Sequence, residues 1–100
     1  MGRVLHILVS GRVQGVGFRY FVREQAQRLS LSGWVRNLRD GRVEILVVGD
    51  ALARQEFLQK VHQGPLAAEV ARVEFREVDG EADHESCFAI HPDSEEICEC

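Results

Sequence analysis

Asp40-Gly41 stands between two β-rich runs, residues 33–38 and 42–48, and no other feature constrains the fold as much. Glycine accepts the positive φ of a tight turn and Asp bonds its own backbone, so this pair marks an antiparallel hairpin. Side chains alternate across a strand, which puts Val43, Ile45 and Val47 on one face. The rest of the chain must cover that face.

Upstream, Leu5-His6-Ile7-Leu8-Val9 is short, mostly apolar and ended by Gly11, the pattern of a buried strand over residues 4–10. Phe18, Phe21, Val22, Ala26 and Leu29 then recur at spacings of three and four, a helix with one buried stripe whose Arg23, Glu24, Gln27 and Arg28 face water. Downstream, Asp50 is placed to cap a second helix carrying Ala53, Phe57 and Val61, and Gly64-Pro65 stops it. Ala71, Val73 and Phe75 alternate with Arg72, Glu74 and Arg76, which predicts a half-buried strand, and residues 87–90 add a short edge strand. The order β-α-β-β-α-β predicts an α+β, ferredoxin-like sandwich: an antiparallel sheet with two helices on one face. Residues 1–91 form this domain, and residues 92–100 are expected to be a flexible acidic tail. One hundred residues suffice for one modest core. That fold serves many functions, so function must be read from a site.

Charge is unevenly spread. Residues 1–42 hold eight Arg against Glu24 and Asp40, a balance of +6, whereas residues 43–100 hold four basic and fourteen acidic residues, a balance of −10. A small anion suits the first half, while the acidic total and the lack of stacking aromatics in residues 42–48 argue against nucleic acid. The run Ile7-Leu8-Val9 ends at Ser10, far too short for a membrane span or a signal-peptide core. Cys87, Cys98 and Cys100 are odd in number and late, as expected of reduced thiols in the cytoplasm. The C-x-C pair has no further ligand at metal-binding spacing, so no metal site is expected.

The segment Gly11-Arg12-Val13-Gln14-Gly15-Val16-Gly17-Phe18-Arg19 joins the first strand to the first helix. Its glycines let successive N–H groups turn inward, and a concave nest ahead of a helix N-terminus binds phosphate or another oxyanion. It lacks the Lys-Ser/Thr of a P-loop and the third glycine of a dinucleotide fingerprint. A tight turn that needs glycine for geometry alone accounts for it equally well. Arg19 opposes the helix dipole at a cost of roughly 0.3–1 kcal/mol, which a bound anion reverses, and its fork matches phosphate oxygens; a solvated surface arginine is the other reading. Asn37, disfavoured within a strand, serves either a local turn bond or a ligand held by the loop. His6, His62, His84 and His91 are scattered, and no Ser or Cys sits in a comparable glycine-flanked setting, so the histidines are taken as structural or solvated.

Taken together, Gly11-x-Val13-Gln14-Gly15-Val16-x-Phe18-Arg19, Gly33-Trp34-Val35-x-Asn37 and Asp40-Gly41-x-Val43-Glu44 resemble the acylphosphatase family, over residues 4 to 78. The resemblance implies metal-independent hydrolysis of carboxyl-phosphate anhydrides with no cofactor. It assigns catalysis to Arg19 and Asn37, and phosphate binding to the loop Val13, Gln14, Gly15, Val16, Gly17 and Phe18. The partners expected are an acyl phosphate substrate and inorganic phosphate as product, with no nucleic acid, no membrane and a monomeric protein. Ser30 stands where the family often has glycine, so a left-handed cap there would be strained. Gly17 occupies a variable position, where an added glycine would loosen the loop. The competing reading is a non-catalytic module of the same fold that binds a small anion.

Overall fold

The computed structural model describes residues 3–79 and 88–92. The elements are β1 (Arg3–Arg12), α1 (Phe18–Arg28), β2 (Ser32–Asn37), β3 (Val43–Val48), α2 (Ala51–Gln63), β4 (Glu69–Asp79) and β5 (Phe88–Ile90). They build one sheet in the order β4-β1-β3-β2-β5. The hairpin expected around Asp40-Gly41 is present, with Asn37 opposite Val43 and Val35 opposite Ile45. The first four strands pair antiparallel, while β5 runs parallel to β2, so the five-stranded sheet is mixed. The expectations for Cys87, Cys98, Cys100 and His84, and for the tail beyond Pro92, lie outside the described residues.

One sheet face and both helices share a core. Leu5, Ile7 and Val9 of β1 meet Val43, Ile45 and Val47 of β3, and Phe18, Val22 and Ala26 of α1 close over them with Phe57 and Val61 of α2. The helical stripes thus fall where the periodicity puts them. Asp50 caps α2, its Oδ2 accepting from the N–H groups of Leu52 (3.2 Å) and Ala53 (3.4 Å). Helix α1 ends in a Schellman arrangement, with Leu31 N–H donating to the Ala26 carbonyl and Ser30 N–H to that of Gln27. Ser30 takes φ 59° and is the non-glycine residue with positive φ among those described.

Several positions differ from the sequence reading or extend it. Phe75 is 53% exposed and Ala71 is exposed, because β4 lies at the sheet margin and α2 covers only part of it. Arg54 is buried in α2, where its Nε donates to the Gly49 carbonyl (3.1 Å) and a terminal nitrogen meets Glu77 (3.4 Å). On the face away from the helices, Glu44 is fully buried and accepts from His6 Nε2 (2.8 Å) and Arg36 Nε (2.7 Å). Trp34 stacks on His91 at 5.4 Å, with the Arg36 guanidinium 4.8 Å from the Trp34 ring centre. His6 and His91 are structural and His62 is exposed, as expected.

Candidate active site

Strand β1 hands over to α1 through a loop shaped by two left-handed glycines, Gly15 at φ 75° and Gly17 at φ 78°. A Cβ added at either would meet nothing within 4 Å. Glycine is therefore demanded by dihedral angle and not by crowding. Gly17 is also the N-cap of α1, and no side chain caps the helix. Instead of loosening the loop, Gly17 supplies the turn that starts the helix, and the uncapped first turn leaves N–H groups to meet an anion.

The loop, the first turn of α1 and the end of β2 enclose a cleft of about 210 Å³. Val13, Gly15, Gly17, Phe18, Arg19 and Asn37 line it, together with Tyr20. Six of the eight residues singled out from the sequence thus converge, although Arg19 and Asn37 come from different elements. The remaining two turn elsewhere. Val16 packs against the core, and the Gln14 side chain donates from Nε2 to the carbonyls of Leu38 (2.7 Å) and Arg42 (2.9 Å). Gln14 thereby ties the loop to the hairpin that carries Asn37.

Asn37 is 8% exposed, and its Oδ1 is buried without a hydrogen-bond partner among the described residues. It does not make the local turn bond that would have explained it structurally. That task falls to Asp40, whose Oδ1 accepts from Arg42 N–H (3.1 Å) and whose Oδ2 accepts from Arg42 Nε (2.9 Å). The side-chain bond from Arg42 holds the Asp40 carboxyl below the usual range, and Asp40 raises Arg42 in return. A buried acceptor left unmet costs about 1–3 kcal/mol, a cost borne where it serves a ligand.

Arg19 is half-buried at the start of α1 and contributes the cation of the cleft. Among the described residues no carboxylate or imidazole lines it, so they offer donors, charge and one amide. Sequence reasoning passed over Tyr20. Its position off the Phe18-Phe21-Val22 stripe, directly after Arg19, was the available signal, and it is 64% exposed with Arg23 stacked 5.2 Å from its ring centre.

A ferredoxin-like sandwich whose first strand-helix junction forms a glycine-shaped cleft lined by Arg19 and Asn37 is the class of domain that the fold and the site define. The family model for Acylphosphatase matches residues 5–90, and the chain belongs to the acylphosphatase family, a family of hydrolases. Acylphosphatase from Alcanivorax borkumensis is 54% identical over 68 residues, covering 68% of this chain and 74% of that protein. The crystal structure of acylphosphatase from Bacillus subtilis superposes with a TM-score of 0.84 at 42% identity, over 89% of this chain and 98% of the other. Full-length HypF, in its phosphate- and nucleotide-bound form, matches with a TM-score of 0.84 at 31% identity, over 95% of this chain but 12% of HypF.

Proposed function

We propose that this protein hydrolyses the carboxyl-phosphate bond of small acyl phosphates, with Arg19 and the loop N–H groups of residues 13–18 binding the phosphoryl oxygens and Asn37 positioning water. The observation that carries the reading is Asn37, a residue of the cleft lining beside Arg19 whose buried Oδ1 has no hydrogen-bond partner among the described residues. There the carboxamide orients a water beside the bound phosphoryl group. The water oxygen attacks phosphorus, the bond from phosphorus to the acyl oxygen breaks, and its electron pair leaves with the carboxylate. The proton released by the water passes to a phosphoryl oxygen, since an amide is too weak a base to hold it. A carboxylate leaves readily without protonation, so positioning and charge stabilisation suffice and no metal is called upon.

The acyl half of the substrate extends toward exposed Tyr20. Each chain holds a complete site. The reaction is read as a cytoplasmic one on a diffusible substrate, without nucleic acid or membrane; no helix among the described residues is long and apolar enough to cross a membrane.

The test is hydrolysis of a synthetic acyl phosphate in chelator, for the wild type beside Arg19→Ala and Asn37→Ala. Chelator-resistant turnover lost in both variants supports the assignment. A folded wild type that binds phosphate without turnover would leave the anion-binding module as the function, and turnover surviving both substitutions would place the active site elsewhere.

A further inference from the structure

Arg19 and Arg23 stand at i and i+4 on α1, so one follows the other along the same flank of the helix. At 3.6 residues per turn, Arg23 lies about 40° in azimuth from Arg19 and about 60° from Tyr20, between the two and one turn further from the loop. Both of these neighbours line the cleft. Helical side chains lean toward the N-terminus of their helix, and Arg23 does so here, its guanidinium carbon 5.2 Å from the centre of the Tyr20 ring. A second cation is thereby held against the residue toward which the acyl half of a substrate extends. The fold leaves that cation without a counter-charge among the described residues. At three and four positions from Arg23 the helix carries Arg19, Tyr20, Ala26 and Gln27, none of them acidic, and Glu24 is an i+1 neighbour that does not face it. Whereas Arg28, Arg36, Arg42, Arg54 and Arg72 each meet a carboxylate, Arg23 forms no ion pair among the described residues. Its half-buried guanidinium has the exposed Tyr20 ring as its partner and a like charge one turn away.

We propose that Arg23 is a specificity-determining residue, which makes the cleft favour acyl phosphates of dicarboxylic acids, whose acyl group carries a second, free carboxylate, over acyl phosphates whose acyl group is neutral. The inference rests on the reading of the cleft as an acyl phosphate site. With the phosphoryl oxygens at Arg19 and the loop, the free carboxylate lies one helical turn on, about 5.4 Å, a span that a few carbon atoms cover. The planar fork of an arginine receives a carboxylate through two parallel bonds, and one cation matches the single charge of a carboxylate better than the two of a second phosphate. Tyr20 acts here as the positioning residue, since its ring holds the guanidinium at the mouth of the cleft. Binding of the second anion also relieves the repulsion between Arg19 and Arg23. The reacting bond and the leaving carboxylate are the same for both kinds of substrate, so Arg23 acts on binding and not on the chemical step.

Benzoyl phosphate and 4-carboxybenzoyl phosphate share the ring and the reacting bond and differ by one carboxylate. Steady-state kinetics of the full chain with both substrates, for the wild type, Arg23→Gln and Arg23→Lys, tests the inference. The ratio of kcat/KM for the carboxylated over the plain substrate should fall about two- to fivefold in Arg23→Gln, the scale of a partly exposed ion pair. The fall should appear in KM for the carboxylated substrate, with turnover of benzoyl phosphate kept within about twofold, which also shows that the variant is folded. Arg23→Lys keeps the charge and should keep most of the ratio, and added salt should lower the ratio in the wild type. An Arg23→Gln ratio equal to that of the wild type, or an Arg23→Lys ratio as low as that of Arg23→Gln, overturns the inference and leaves the hydrolytic reading of the cleft in place. A wild type that hydrolyses neither substrate removes that reading and this inference with it.

Discussion

Gln14 Nε2 donates to the carbonyl of Leu38 across 2.7 Å, joining the glycine loop to the residue that follows Asn37. The same nitrogen reaches the Arg42 carbonyl at 2.9 Å. One side chain thus sets the distance between the two walls of the cleft. Gln14→Ala removes both bonds, but Leu38 and Arg42 keep other partners for their carbonyls. The stability loss should therefore stay near 1 kcal/mol. Turnover should fall further than the melting temperature suggests, with kcat/KM down about tenfold or more for a small displacement of the walls. Steady-state kinetics beside a thermal melt separates the two effects. Equal, small losses in both would show that Gln14 does not position the site.

Asn37→Ala removes a carboxamide whose buried oxygen has no hydrogen-bond partner among the described residues. An unsatisfied acceptor of this kind costs about 1–3 kcal/mol. The variant should therefore melt no lower than the wild type while turnover falls about a hundredfold, the scale for losing one positioned polar group in a transition state. A melt lowered by several degrees would mean that Asn37 holds the fold and not a ligand.

Ser30 sits at φ 59° in the Schellman turn after α1. A left-handed non-glycine residue costs about 1–2 kcal/mol, partly offset by the flexibility glycine adds to the unfolded chain, about 0.5–1 kcal/mol. Ser30→Gly should stabilise by up to about 1 kcal/mol, a rise in Tm of about 4–8 °C for a domain of this size. Differential scanning calorimetry decides it, and a lower Tm would locate the strain elsewhere.

Asp40 is held below the usual carboxylate range, chiefly by the side-chain bond from Arg42. A folded-state pKa lower than the unfolded one adds stability above the unfolded value, about 3.9 for Asp, and that stability is lost as pH falls through the folded value. Asp40→Asn should flatten this acid limb by lowering stability near neutral pH while matching the wild type at low pH, where Asp40 is protonated, and the effect should be small because the pair is exposed. Urea midpoints taken on both sides of that window are the measurement, and an unchanged acid limb would argue against the assignment.

Both helical stripes and the Asp40-Gly41 hairpin could be read from the sequence because each is a local pattern of period or turn chemistry. The candidate site was readable for a related reason: Gly15, Gly17 and Arg19 fall within one five-residue run, and Asn37 stood out as a poor strand residue at the end of β2. Lateral order in the sheet was harder to see. A period of two says which face a side chain takes, not whether its strand is central, which is why Phe75 emerged more exposed than its alternation suggested. The parallel pairing of β5 is equally non-local. Glu44 and Arg54 carry charges that composition places outside, and only the partners His6, Arg36, Gly49 and Glu77, brought near by folding, account for their burial. Gln14 looked like one more loop residue because its acceptors lie on the far side of the chain reversal.

In the proposed cradle the loop's grip on phosphate resides in torsion angles at Gly15 and Gly17 and not in side-chain chemistry. Every residue but proline carries the same N–H, so Val13 and Val16 are free to drift among apolar types without altering the electrostatics presented to a ligand. Heritable change in this part of the site is therefore filtered first by permitted rotation at two glycines, where most substitutions remove the shape, and then by the packing of Val13 and Phe18 and the two bonds of Gln14.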